Sequence, residues 1–421
     1  MADDSSLAVY VHVPFCLSIC PYCDFDRQAT GFDRVDVYLD AVVRELAAYR
    51  GERRPVHSIF FGGGTPSLLP PAQVARVLDA IGATLQVLPD AEVTLESNPG
   101  DADPTKMLGF RHAGVTRLSL GVQSLDDAYL HLLGRRHSAD AARQAARWAR
   151  AAGFFFNLDF MFGLPRQTLA HWETTLAQAV ALEPDHLSCY LLTVDERVPL
   201  GRDVARGRLV LPEDDDLADM YQLTRERLRR AGFEQYEISN WARPGQASRH
   251  NLTYWRDGEW IGVGAGAASS YSGRRWKNTP GLERYIDTVG RLGQAHRVED
   301  EEPDPATQML DFVTLGLRLR EGVPLAEFSS RFGADLLAVL AAEGAWLLGA
   351  GFLEQDSGRL RIAADQQLIT NELLVRLADP IHAHAAGTQV RRDTSRRQMP
   401  ASAVRAGSRG PACSRAPVAL A

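Results

Sequence analysis

The sequence predicts an α/β protein: a partial (β/α)6 barrel followed by a small helical, winged-helix-like C-terminal domain. Three observations predict it. Between Leu7 and Leu192 six short apolar or β-branched runs alternate with helix-length stretches. Polar or glycine-rich residues stand where those runs end. After Thr193 the alternation stops, and a pattern of three helices and a hairpin closes the recognisable sequence.

Taken in order, the strand candidates are Leu7–Val13, Val56–Phe61, Ala91–Leu95, Arg117–Gly121, Phe154–Phe160 and His186–Leu192. Between them Phe32–Tyr49 places Val35, Leu39, Val42, Val43 and Leu46 at helical spacing, and Pro71–Leu85 opens with Pro in its first turn. Six strand–helix units in succession predict parallel pairing with right-handed crossovers. Barrel and open doubly wound sheet both satisfy that pattern, and periodicity does not separate them. Residues 195–212 read as an irregular connection, Glu213–Ala231 as a helix with an acidic start suited to its dipole, and Phe233–Ile238 as a strand. Helices near Ala306–Leu319, Leu325–Phe332 and Ala334–Ala350 precede a hairpin over Phe352–Ile362 that turns at Asp-Ser-Gly. The expected divisions are a core over 1–195, an extension over 196–300, the helical domain over 301–380 and a disordered tail over 381–421. From Gly387 onward there are no aromatics and seven arginines against one Asp, a composition that buries too little to order itself.

With 45% hydrophobic and 24% charged residues, the composition is that of an ordinary globular protein. No apolar run is long enough to span a bilayer, and the first residues lack the basic and apolar regions of a signal peptide, so a cytoplasmic location is expected. A net charge of −7 argues against general nucleic-acid binding, which needs a basic face. The winged-helix outline does not change that, since its helices are not basic and Glu354 and Asp356 sit in the hairpin.

The chemistry gathers at Cys16, Cys20 and Cys23, just past the first strand. Intervals of three and two residues let one loop offer a sulfur to each of three irons of a cubane, leaving the fourth iron without a protein ligand. Zinc uses the same ligand type but prefers four ligands, and no fourth His or Cys stands at finger or ribbon spacing. Strand two ends in Gly62-Gly-Gly-Thr-Pro66, strand three in Glu96-Ser-Asn-Pro99, and strand four in Val122-Gln-Ser124. Strand five carries Asp159 before Gly163-Leu-Pro165. Ligands of α/β barrels and open sheets sit at the carboxyl ends of strands, so these residues and the cysteine loop share one face. Three successive glycines let bare backbone approach a small polar ligand, while a Walker loop is excluded because no Lys-Ser or Lys-Thr follows.

Cys-x3-Cys-x2-Cys with Tyr22 before the last Cys resembles the signature of the radical S-adenosylmethionine (SAM) superfamily. Tyr10-Val-His-Val-Pro-Phe-Cys16 and Phe60-Phe-Gly-Gly-Gly-Thr-Pro-Ser67 resemble the oxygen-independent coproporphyrinogen III oxidase-like family. Cys20-Pro-Tyr-Cys-Asp-Phe25 and His250-Asn-Leu-Thr-Tyr-Trp255 are similar to the HemW heme chaperone family within it. The resemblance runs from about Leu7 to Leu377. It implies a radical SAM barrel with a [4Fe-4S] cluster on Cys16, Cys20 and Cys23, and SAM closing the open iron. Gly63, Gly64 and Thr65 would hold the amino end of SAM. Glu96, Gln123, Arg135 and Asp159 fall on positions that line its pocket, and Tyr10 and Tyr22 flank cluster and cofactor.

A His in a polar loop ordinarily does no more than hydrogen-bond, although neutral imidazole is also a common haem ligand. The HemW resemblance makes His250 the candidate haem ligand, with Tyr254 and Trp255 as aromatic surface. Two functions follow. One is a haem chaperone that passes haem to an unidentified acceptor protein. The other is an oxidase that decarboxylates porphyrinogen propionates through a 5′-deoxyadenosyl radical, fed by a donor such as flavodoxin or ferredoxin. Phe25 stands where the oxidase carries a further Cys, and only fifteen residues precede Cys16 where the oxidase has a long segment. Both departures favour the chaperone.

Overall fold

A computed structural model describes residues 6–101 and 103–397. The six predicted strands form, slightly extended: β1 Leu7–Val13, β2 Pro55–Gly63, β3 Gln86–Ser97, β4 Arg117–Gln123, β5 Phe155–Phe162 and β6 His186–Leu191. They lie side by side in sequence order, every neighbour parallel. A doubly wound sheet reverses its order at a switch point; this one does not, so each crossover returns on the same side and the strands curl into a partial barrel. A further parallel strand, Trp260–Val263, pairs with the outer edge of β1, and antiparallel strands extend both edges to twelve in all. The barrel therefore stays open.

Register explains the placement of polar residues. Tyr10, Phe60, Thr94 and Arg117 pair across β1 to β4, and Glu96, Ser119, Asn157 and His186 pair across β3 to β6. These inward rows alternate with apolar residues such as Val9, Ile59, Leu95, Leu118 and Leu158, which are buried under the outer helices. Helix Val35–Leu46 contributes Leu39, Val42 and Leu46 to that layer, and Pro71–Thr84 contributes Val74, Val77 and Ile81.

The C-terminal domain matches its predicted outline: helices Pro305–Gly316, Leu325–Phe332 and Leu336–Gly349, then strands Leu353–Asp356 and Arg359–Ile362. It has its own core around Phe312, Phe328, Leu340 and Leu360. Three expectations change. The predicted strand over Phe233–Ile238 shrinks to Glu234–Gln235, and the connection after Asp195 contains a helix, Pro199–Ala205, started by its proline. The last helix runs Thr370–Arg397, seventeen residues into the predicted tail; its Leu373, Leu377 and Ile381 are buried in the core of the C-terminal domain. The rest of that tail, 398–421, lies outside the described residues. Among the described residues no helix is long and apolar enough to cross a membrane.

Candidate functional site

Pro14 ends the β1 ladder, and the chain swings out into the cysteine loop. The loop is closed at its base by Cys16 N–H donating to Gln28 O at 2.9 Å and Gln28 N–H donating to Pro14 O at 2.8 Å. Within it Cys23 N–H donates to Cys20 O at 3.2 Å, and the Arg27 guanidinium donates to the carbonyls of Cys23 and Phe25. His12 Nε2 donates to Asp26 O at 2.7 Å, which leaves Nδ1 to accept from Tyr10 Oη at 3.2 Å. The loop is thus tied to the inward face of β1.

The glycine run packs tightly against β1 and the root of the cysteine loop. A Cβ on Gly63 would lie 2.5 Å from the His12 ring, and one on Gly64 would lie 2.7 Å from Phe15 O and 2.8 Å from Val13 O. The space freed by these missing side chains is filled by protein. Gly64 N–H donates to Val13 O and Thr65 N–H to Phe15 O, both at 2.8 Å, so the glycines let β2 grip the root of the cysteine loop. Gly134 does the same from the other side: at φ +65° its Cβ position lies 2.7 Å from Pro21 Cδ.

Cys16, Cys20 and Cys23, all half-buried, line one cavity of about 460 Å³ at the carboxyl ends of the strands. Thr65 Oγ1 donates to Cys16 Sγ, and Arg135 Nη1 to Cys20 Sγ, each at 3.6 Å. Burial pushes the Cys16 thiol up and the Cys23 thiol to about 11. Free, these two are thiols, and a metal's charge is what would turn them into thiolates. Among the described residues no three His, Cys, Asp or Glu converge on a point where one ion could sit.

Tyr22, Gly63, Gly64, Thr65, Glu96, Gln123, Arg135 and Asp159 line the same cavity. Gln123 adopts φ +65°, a left-handed conformation that is costly for a side-chain-bearing residue and typical of functional strand ends. Arg135 bonds Tyr22 Oη at 3.3 Å, Gly121 O at 2.7 Å and Asn98 Oδ1; Asn98 in turn donates to Thr65 Oγ1 at 3.0 Å. Glu96 accepts from Gly63 N–H at 3.2 Å. Burial first, and the nearby Asp159 second, raise its carboxyl to about 8. Asp159 is also raised by burial, although Ser119 Oγ at 2.9 Å and Asn157 Nδ2 at 2.6 Å donate to it. Two buried carboxyls thus share one pocket, both held toward their neutral form.

Tyr10 and His250 do not line this cavity. Tyr10 packs inside the barrel against Phe60. His250 lies not in a polar loop but in a helix, Arg249–Trp255, with 1% of its surface exposed. Its Nδ1 meets Ser58 Oγ at 3.1 Å and its Nε2 meets Tyr254 Oη at 2.8 Å, so both ring nitrogens are engaged. Burial lowers its pKa to about 3 and keeps the ring neutral. The helix is buried because the Glu92 carboxylate accepts from Ser248 Oγ and from the N–H groups of Arg249 and His250, at 3.2 Å each. Trp255 stands beside Arg318, whose guanidinium is 5.4 Å from its ring centre.

Sequence reasoning passed over His12, Arg27 and Asn98 as site residues. His12 carried a readable signal, since strand alternation puts it on the inward face with Tyr10. Arg27 and Asn98 act through contacts that exist only once the loops are folded.

Comparison with known proteins decides the family. A model of the radical SAM superfamily matches residues 10–179, and one of the HemN C-terminal domain matches 304–364. Heme chaperone HemW of Synechocystis is 38% identical over 344 residues, 79% of this chain and 83% of that protein. Heme chaperone HemW of Mycobacterium tuberculosis is 38% identical over 374 residues, 87% and 93% of the two chains. The chain belongs to the HemW family. Among solved structures, coproporphyrinogen III oxidase (HemN) from Escherichia coli superposes with a TM-score of 0.78 over 89% of this chain and 90% of that one, at 23% identity. That likeness concerns the fold alone.

Membership of the radical SAM superfamily implies a [4Fe-4S] cluster and SAM, and this HemW-family chain has residues that fit both. Among the described residues three sulfurs, of Cys16, Cys20 and Cys23, line the cavity, which suits a cluster with one open iron. The buried Glu96 and Asp159 carboxyls and the Arg135 guanidinium supply both signs that a ligand with sulfonium, ammonium and carboxylate groups requires.

Proposed function

We propose that this protein is a haem chaperone of the HemW type, which binds haem beside a [4Fe-4S] cluster with exchangeable SAM and transfers the haem to an acceptor protein. The observation that supports it most is the match to HemW heme chaperones along nearly the whole chain. Phe25, standing where the oxidase has a further Cys, agrees with it.

In this reading Cys16, Cys20 and Cys23 hold the cluster, which when bound supplies an open iron and an electron. Arg135 pairs with the carboxylate of SAM, and Glu96 and Asp159 face its positive groups. Gly63, Gly64 and Thr65 fix the loop that presents its amino end, and Tyr10 braces His12 behind the cluster. His250 ligates haem only in a conformation in which Tyr254 releases Nε2. Among the described residues no helix is long and apolar enough to cross a membrane, and a cytoplasmic location is part of this proposal.

Two outcomes check this. After anaerobic reconstitution with iron and sulfide, parallel assays of haem retention and coproporphyrinogen decarboxylation should give haem retained and no decarboxylation; decarboxylation without haem retention would reverse the assignment. SAM binding gives the second. Because the Glu96 carboxyl sits near 8, it is largely protonated at pH 7, and a cation placed beside it drives the proton off. Calorimetric titration with SAM at pH 7 in buffers of different ionisation enthalpy should therefore show release of up to one proton. Glu96→Gln should abolish the release and weaken binding about tenfold or more. Buffer-independent heats would remove Glu96 from the site.

A further inference from the structure

Below Glu96 and Asp159 the cavity continues down the barrel to a floor formed by Thr94, Arg117, Ser119, Asn157, His186 and Ser188. Thr94 stands directly across from Arg117, and Ser119 across from Asn157, so these side chains form one inward patch. Two of its polar atoms are buried without a hydrogen-bond partner: Arg117 Nη2 and Thr94 Oγ1. Arg117 is 4% exposed and Thr94 1%. A desolvated guanidinium N–H left unpaired is rare and costly.

The neighbours do not relieve it. Arg117 Nη1 already donates to Gln246 O at 3.0 Å. Arg117 Nη1 also pairs with the Glu92 carboxylate at 3.7 Å, which takes three other donors, from Ser248, Arg249 and His250. His186 is bonded on both nitrogens, to Asn157 Oδ1 at 2.7 Å and Tyr236 Oη at 2.9 Å. The Asn157 amide already donates to Ser119 and Asp159. What Arg117 Nη2 and Thr94 Oγ1 lack is an acceptor.

We propose that this floor is an oxyanion subsite which takes the carboxylate of a ligand arm, with Arg117 Nη2 as the charged donor and Thr94 Oγ1 as the second. A guanidinium and a hydroxyl side by side match the two oxygens of one carboxylate. The inference rests on the haem reading for its natural ligand, since haem carries two propionate arms. The subsite itself depends only on the barrel.

The test uses the full chain reconstituted with iron and sulfide, and sodium propionate as the probe, followed by saturation-transfer NMR. The wild type should give a saturable signal. Thr94→Val, which keeps shape and loses the hydroxyl, should weaken it about fivefold; Arg117→Lys, which keeps charge and loses the planar fork, about tenfold. Both variants should keep the wild-type iron–sulfur absorbance and melting temperature, and haem should displace propionate competitively. No saturable signal in the wild type overturns the subsite. Binding that neither variant changes means an adventitious ion only, and overturns it too. Propionate binding lost in the variants yet undisturbed by haem keeps the subsite and removes haem as its ligand.

Discussion

Gly64→Ala is expected to prevent assembly of the iron–sulfur cluster and to destabilise the fold by about 3 kcal/mol. The added methyl would lie 2.7–2.8 Å from Phe15 O, Pro14 C and Val13 O. All three are backbone atoms, with no side chain to swing aside. Relief requires β1 and β2 to separate at their carboxyl ends, which breaks the Gly64-to-Val13 and Thr65-to-Phe15 hydrogen bonds and moves Cys16 away from Thr65 Oγ1. Gly82→Ala is the control. Gly82 lies within helix Pro71–Thr84 with nothing within 4 Å of the added carbon, so alanine should stabilise by about 0.5–1 kcal/mol. Iron–sulfur absorbance after anaerobic reconstitution, together with thermal melts, reads both. A Gly64→Ala protein with full cluster content would mean that the two loops are not held as tightly as their contacts require.

The barrel was legible because its signal is local and repeated. Each of β1 to β6 is a short apolar run, and its inward polar residues fall at alternate positions, which is what a strand with one wet face must show. The cysteines were legible for the same reason, since a ligand spacing lies within eight residues. The order of the strands was not, because a sequential barrel and a doubly wound sheet use the same units and differ only in which side each crossover returns to. His250 was misplaced for a reason of range. Arg-His-Asn-Leu-Thr-Tyr reads as polar loop, and what makes it a buried helix is Glu92, more than 150 residues earlier, accepting its first donors. The glycine run lines the cavity, and its packing was not legible, because the atoms that fill the space beside it belong to β1 and to the loop that follows.

His250→Ala is expected to destabilise the protein by about 2–4 kcal/mol. The ring sits 5.0 Å from the Phe60 ring centre in a stacked pose and 5.0 Å from Tyr254 in an edge contact, and its removal leaves both a cavity and two hydroxyls, Ser58 and Tyr254, without partners. The loss depends on pH. With its pKa lowered to about 3 from an ordinary 6.5, the neutral ring stabilises the fold fully above about pH 6.5, and that contribution disappears as pH falls toward 3. The gap between wild type and variant should therefore be widest near neutrality and close in acid. Glu96 acts in the opposite sense: its raised carboxyl favours the fold at low pH and costs stability as pH climbs through about 8. Below its melting temperature His250→Ala should keep the iron–sulfur absorbance, because no contact of His250 reaches the cysteine loop directly. Haem retention then separates packing from ligation. Tyr254→Phe frees Nε2 while leaving the ring in place, so if His250 ligates haem this variant should retain haem at least as well as the wild type while His250→Ala loses it. Equal retention in all three proteins would confine His250 to packing and move the haem ligand elsewhere.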